Sequence, residues 1–116
     1  MKFSLPFCLA LVTYITPALA DGVSADVDIR YADGEDEPIN IFPDTGCYDT
    51  VNPTTPVRSI AVSQVDDRPK CIFYTDPGCK GDDWTIEVPK NSETGTKTQR
   101  FSRSFIVASL ECFKAE

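Results

Sequence analysis

"IFYTDPGCKGDDWTIEVP", residues 72–89, joins two apolar runs across Asp76-Pro77-Gly78, and its reading decides the fold. Pro77 presets φ for the first corner of a tight turn, and Gly78 tolerates the positive φ of the second. The flanking runs, Lys70 to Tyr74 and Trp84 to Val88, are short and rich in Ile, Phe, Tyr, Thr and Val, which suit a pleated, half-buried surface. A β-hairpin is therefore expected, with Gly81 allowing it to fold tightly over a sheet. Asp82 and Asp83 read as solvated turn acids.

A similar stretch precedes it. "IRYADGEDEPINIFP", residues 29–43, also has an aromatic followed one residue later by aspartate, then a turn, an apolar alternation and a closing proline. Further on, "VRSIAVS" at 57–63 matches "SRSFIVAS" at 102–109. The offsets nearly agree, 43 positions from Tyr31 to Tyr74 and 45 from Ser59 to Ser104. Two matched blocks in one order indicate an internal repeat with copies at about 25–64 and 70–113. Beyond the hairpin, strands are expected at Ala25–Tyr31, Ile39–Phe42, Cys47–Val51, Arg58–Gln64, Thr98–Phe101 and Arg103–Phe113. No stretch sustains a helical apolar period for three turns. Eight short strands make an all-β sandwich.

The segment Tyr74 to Gly81 resembles the folded-hairpin signature of βγ-crystallins, with Cys79 standing where that signature has its second aromatic. The blocks "VRSIAV" and "SRSFIV" are similar to the serine and apolar alternation that open the last strand of each crystallin Greek key. The resemblance implies two Greek-key motifs forming one βγ-crystallin-like sandwich. The first copy departs from the pattern, having Glu37-Pro38-Ile39 after its acidic turn in place of the glycine. Many such domains hold calcium through paired Asn/Asp ahead of that serine. Here the matching positions are Thr54-Thr55 and Gln99-Arg100, so no crystallin-type calcium site is expected, since a hard cation needs oxygen ligands and Arg100 brings positive charge. The acidic run Asp33 to Glu37 reads as a flexible solvated loop.

The chain begins "MKFSLPFCLALVTYITPALA", a lysine, an apolar run and a small-residue end, which reads as a signal peptide over 1–20 cut after Ala20. A secreted, extracellular domain at 21–116 is expected. The interrupted apolar run falls short of the roughly 20 predominantly apolar residues that a membrane span needs. Cys8 leaves with the leader, and Cys47, Cys71, Cys79 and Cys112 remain to form two disulfides. Zinc and thiol redox chemistry are disfavoured, because the chain has no histidine and no Cys-x-x-Cys. No cofactor is expected. Four cysteines permit three pairings. The strand adjacency of the resembled Greek key implies Cys71–Cys112 and Cys47–Cys79; Cys71–Cys79 with Cys47–Cys112, local across the turn, is the competing arrangement.

The formal net charge of −7 becomes one unit more negative when Lys2 is removed, which disfavours nucleic-acid partners. Nine acids face the single base Arg30 between Asp21 and Asp49, while Lys90, Lys97, Arg100 and Arg103 gather towards the C-terminus. The acidic part reads as a solubilising face rather than a docking site. Without histidine a nucleophile–histidine dyad is impossible, and the carboxylates are scattered through turns, so no enzyme activity is expected. The pattern Cys-x-Phe-Tyr-x-Asp-x-x-Cys-x-Gly is similar to that of small secreted proteins of filamentous fungi. Crystallin-like relatives of this kind include killer toxins, antimicrobial proteins and a metalloprotease inhibitor. The resemblance thus implies a secreted, monomeric binding protein of effector type, meeting an extracellular protein or cell-surface component without stable membrane insertion. The alternatives are a toxin or antimicrobial protein, or an inhibitor using the loop Asn91 to Thr98.

Overall fold

The computed structural model describes residues 22–116, so the expected leader and Cys8 lie outside the described residues. Eight strands follow in order: β1 (Ala25–Tyr31), β2 (Asp36–Ile41), β3 (Tyr48–Asp49), β4 (Val57–Gln64), β5 (Pro69–Asp76), β6 (Lys80–Glu87), β7 (Thr96–Arg100) and β8 (Ser109–Lys114). They form two four-stranded antiparallel sheets, ordered β2-β1-β4-β7 and β3-β8-β5-β6. Each sheet thus takes three strands from one half of the chain and one from the other: β3 joins the second sheet and β7 the first.

Period-two alternation produces this arrangement, because successive side chains of a strand point to opposite faces. On β1, Ala25, Val27, Ile29 and Tyr31 are buried; on β2, Ile39 and Ile41; on β4, Val57, Ile60 and Val62. Cys71 and Phe73 of β5, Ile86 of β6, and Leu110 and Cys112 of β8 belong to the same core. Each large apolar side chain withdrawn from water contributes about 1.5–3 kcal/mol. In β4 the inward positions change parity between Val57 and Ile60, because Tyr31 of β1 pairs with Val57 while Arg30 pairs with Ser59. That β-bulge turns both Arg58 and Ser59 away from the core, and re-aiming a side chain is what bulges commonly do.

Several boundaries differ from the sequence expectations. β2 starts at Asp36, so Asp36 and Glu37 belong to a strand rather than to a solvated loop. Pro38 is accommodated because β2 is an edge strand. Phe42 falls outside it and is 58% exposed. β3 is only two residues long, although Thr50 N–H extends the pairing by donating to Ala108 C=O at 2.9 Å. β6 begins at Lys80, which puts Asp82, Asp83 and Trp84 within the strand. The strand expected from Arg103 begins only at Ser109, because β7 lies in one sheet and β8 in the other. Residues 101–108 must therefore cross the end of the sandwich, and Phe101 and Phe105 pack against the core from this crossing. Tyr31 and Tyr74, aligned in the repeat, occupy opposite faces: Tyr31 is fully buried, whereas beyond β5's inward Phe73 the Tyr74 hydroxyl donates to Glu111 at 2.6 Å. A one-residue slip exchanges the faces of a strand.

Candidate functional site

The structure brings the four cysteines together in two pairs. Cys71 and Cys112 stand opposite each other on β5 and β8, buried, with Cα atoms 4.0 Å apart. Cys47, just before β3, joins Cys79 in the β5–β6 turn across a Cα separation of 6.0 Å. The local Cys71–Cys79 arrangement is not formed. Two such crosslinks fit an oxidising compartment.

The turn itself is held from three sides. Besides the disulfide, Gly78 N–H donates to Asp49 of β3 at 3.0 Å, and Cys79 N–H donates to the Ser109 hydroxyl at 2.8 Å. The Ser109 hydroxyl in turn donates to Asp76 C=O at 2.5 Å. Ser109 is fully buried, and these two bonds satisfy it. Sequence similarity pointed instead to Ser104, which is exposed in the crossing segment, and to Ser59, which lies inside β4. Gly81 is required as glycine: its φ is +88°, and a Cβ there would sit 2.6 Å from Thr75 Oγ1.

A second polar cluster surrounds Glu37, a residue only 6% exposed. It accepts from Tyr31 OH at 2.5 Å, from Tyr48 OH at 3.2 Å and from Val51 N–H at 3.2 Å. Desolvation, then the hydrogen bond and charge of Glu37, push the Tyr31 phenol far above its ordinary range. Tyr48 is raised by desolvation and by the Glu37 charge. Desolvation and its bond to Glu111 push Tyr74 up to about 12. A folded pKa raised above the unfolded value of 10.0 gives stability that is complete below pH 10 and lost as pH rises through the folded value. Alkaline titration is therefore expected to show little tyrosinate absorbance from the folded domain near pH 10, then a cooperative rise on unfolding at higher pH. Ordinary ionisation of all three tyrosines near pH 10 with intact circular dichroism would refute this.

The exposed chemistry lies elsewhere, at the end of the first sheet. The β4 bulge places Arg58 beside Ser59, whose neighbours across the sheet are Arg30 on β1 and Arg100 on β7. Arg30, Arg58 and Arg100 line a depression of about 380 Å³. Arg100 and Phe101 are shared with a second depression of about 370 Å³, which adds Trp84, Arg103 and Phe105. Four of the chain's five arginines thus border one groove in an acidic protein. Arg30 pairs with Asp36 at 3.2 Å; among the described residues no carboxylate lies within ion-pair distance of Arg58, Arg100 or Arg103. The aromatic wall is well packed: Phe101 stacks on Phe105 with centroids 4.7 Å apart, and Trp84 meets Phe101 edge-on at 5.4 Å. Trp84 is 42% exposed.

Planar guanidinium groups bind oxyanions through paired, charge-assisted hydrogen bonds, and a supported indole offers a flat apolar surface. The groove lining contains no carboxylate and no cysteine. Its chemistry is therefore that of holding an anion next to a ring. In the sequence Arg100 entered only the charge balance and the argument against a calcium site, Arg103 only the charge balance, and Trp84 only as a strand start. Arg30, Arg58 and Arg100 come from three strands far apart in sequence, and only the pairing of β1, β4 and β7 reveals their proximity. Thr54 and Thr55 lie in the loop before β4, and Gln99 and Arg100 close β7. No family model, curated protein or solved structure matches the chain.

Proposed function

We propose that the chain is a secreted, non-enzymatic binding domain of βγ-crystallin-like, two-Greek-key organisation, of the effector type known from filamentous fungi, acting at a host or microbial surface. The exchange of β3 and β7 between the halves and the Ser109 bonds to the folded hairpin support the crystallin-like reading. The two disulfides support export. The observation that carries the binding role is the groove, where unpaired arginines and a half-exposed tryptophan meet. Uncompensated cationic groups beside an exposed aromatic are the composition of a contact surface.

Labelled protein incubated with plant tissue, fungal walls and bacteria tests the reading. Retention on one of these surfaces is expected, and the double charge reversal Arg58→Glu with Arg100→Glu should abolish it without unfolding the domain. Retention unaffected by the reversal removes the groove from the account. Turnover of a substrate, or growth arrest without surface retention, replaces the binding role by an enzyme or a toxin.

A further inference from the structure

The arginine–tryptophan groove also restricts the class of ligand it suits. Nucleic acid carries about one charge per 1.7 Å of duplex. Such a chain would pass Asp33 and Glu35 of the β1–β2 turn and Asp36 at the start of β2, beside Arg30, and the protein's net negative charge opposes it. A chain with one acid per bulky unit meets much less of that repulsion while still reaching three unpaired guanidinium groups. An extended acidic peptide is the other candidate, and its usual route is to add as a strand to the exposed edge of β7. That edge is partly blocked. The bonds Phe101 N–H to Arg58 C=O and Gln64 N–H to Gly95 C=O fix which residues of β7 face β4. In an antiparallel pair the bonding direction alternates along the strand, so the backbone groups of Thr96, Thr98 and Arg100 face outwards. Of these, Arg100 C=O already accepts from its neighbour Gln99's amide at 2.9 Å, and Thr96 N–H donates to Thr94 Oγ1 at 3.3 Å. Side chains thus blunt both ends of the edge against strand addition. Recognition is left to guanidinium groups and to the indole of Trp84, on whose apolar surface the C–H face of a pyranose ring can lie.

We propose that the groove binds an acid-bearing polysaccharide, its carboxylate or sulfate groups held by Arg58, Arg100 and Arg103 and one sugar ring laid against Trp84. This rests on the groove being the contact surface. Trp84 is the chain's only tryptophan, so intrinsic fluorescence reads the site directly.

The experiment titrates the whole secreted protein with an oligogalacturonate, a carrageenan-type oligosaccharide bearing one sulfate per disaccharide, a neutral cello-oligosaccharide and an oligoglutamate peptide of equal charge, following Trp84 emission and calorimetric heat. At least one acidic sugar should saturate the emission change, and comparing the first two arms tells carboxylate from sulfate. The neutral sugar should give none, and the peptide should bind about tenfold more weakly or worse. Arg58→Glu with Arg100→Glu should weaken the acidic sugar about tenfold or more, the loss of at least one charge-assisted contact. Both disulfides, mapped without reduction, should be intact in the variant. Absence of a Trp84 response to either acidic sugar, equal binding of oligoglutamate, or binding unchanged by the reversal overturns the proposal. If the acidic sugars fail while the reversal still abolishes surface retention, the ligand class falls and the groove stands. If retention is also unchanged, both fall.

Discussion

Replacing Cys71 and Cys112 together by alanine is expected to lower the folding free energy by about 4 kcal/mol, the loop-closure entropy removed from the unfolded chain by a bridge spanning 41 positions. Domains of this size are stable by only about 5–15 kcal/mol, so the variant should sit close to unfolding at physiological temperature. A reduced midpoint in urea denaturation checks this. The bridge from Cys47 to Cys79 spans 32 positions and constrains the unfolded chain nearly as much, but its environment is different. Cys47 is exposed and Cys79 half-buried, whereas Cys71 and Cys112 are enclosed between the sheets. Thiolate attack needs access, so mild reductant should open Cys47–Cys79 first, leaving the domain folded with two alkylated thiols. Alkylation of Cys71 and Cys112 before or together with the other pair would contradict the burial that the core assigns them.

The second large effect belongs to Glu37. Glu37→Ala should cost about 3 kcal/mol, because hydrogen bonds to a charged acceptor contribute roughly 1.5–3 kcal/mol and the alanine variant leaves the Tyr31 hydroxyl enclosed without a partner. Glu37→Gln keeps one acceptor oxygen and should recover part of that loss. A double-mutant cycle with Tyr31→Phe should give a coupling of about 1–3 kcal/mol. Urea midpoints of the three variants supply the numbers. A Glu37→Ala variant within about 0.5 kcal/mol of the parent, the usual range for surface changes, would mean that the carboxylate is solvated.

Glu37 also shows where sequence reading is strong and where it fails. β1 and β4 were legible almost to the residue, because apolar side chains at alternate positions, Ala25 to Tyr31 and Ile60 to Val62, leave a sheet with one buried face little choice. The same parity runs back from Ile41 and Ile39 to Glu37, so the signal for burial was present; surrounding Asp and Glu concealed it. Ser109 was hidden differently. Its resemblance-based rival Ser104 sits in a similar string of residues, but the apolar alternation that continues into a strand is Leu110 and Cys112. The hairpin at Asp76 to Gly78 was readable because turn chemistry is local. The groove was not, because it depends on a bulge and on two strand pairings that no short window of sequence contains.

The crossing of β7 into the first sheet has a consequence for how occupancy and folding communicate. Arg30 and Arg58 come from one half of the chain; Trp84, Arg100 and Arg103 come from the other. The depression lined by Arg30, Arg58 and Arg100 needs both halves, so a ligand spanning the groove would recognise only the completed interlock. Ligand at a hundred times its dissociation constant would then add about 2.7 kcal/mol to the cooperative unfolding of both halves at once. A molecule captured at the groove would act as a clasp, making the domain hardest to unfold, and so hardest for proteases to enter, at the surface where it has found its ligand.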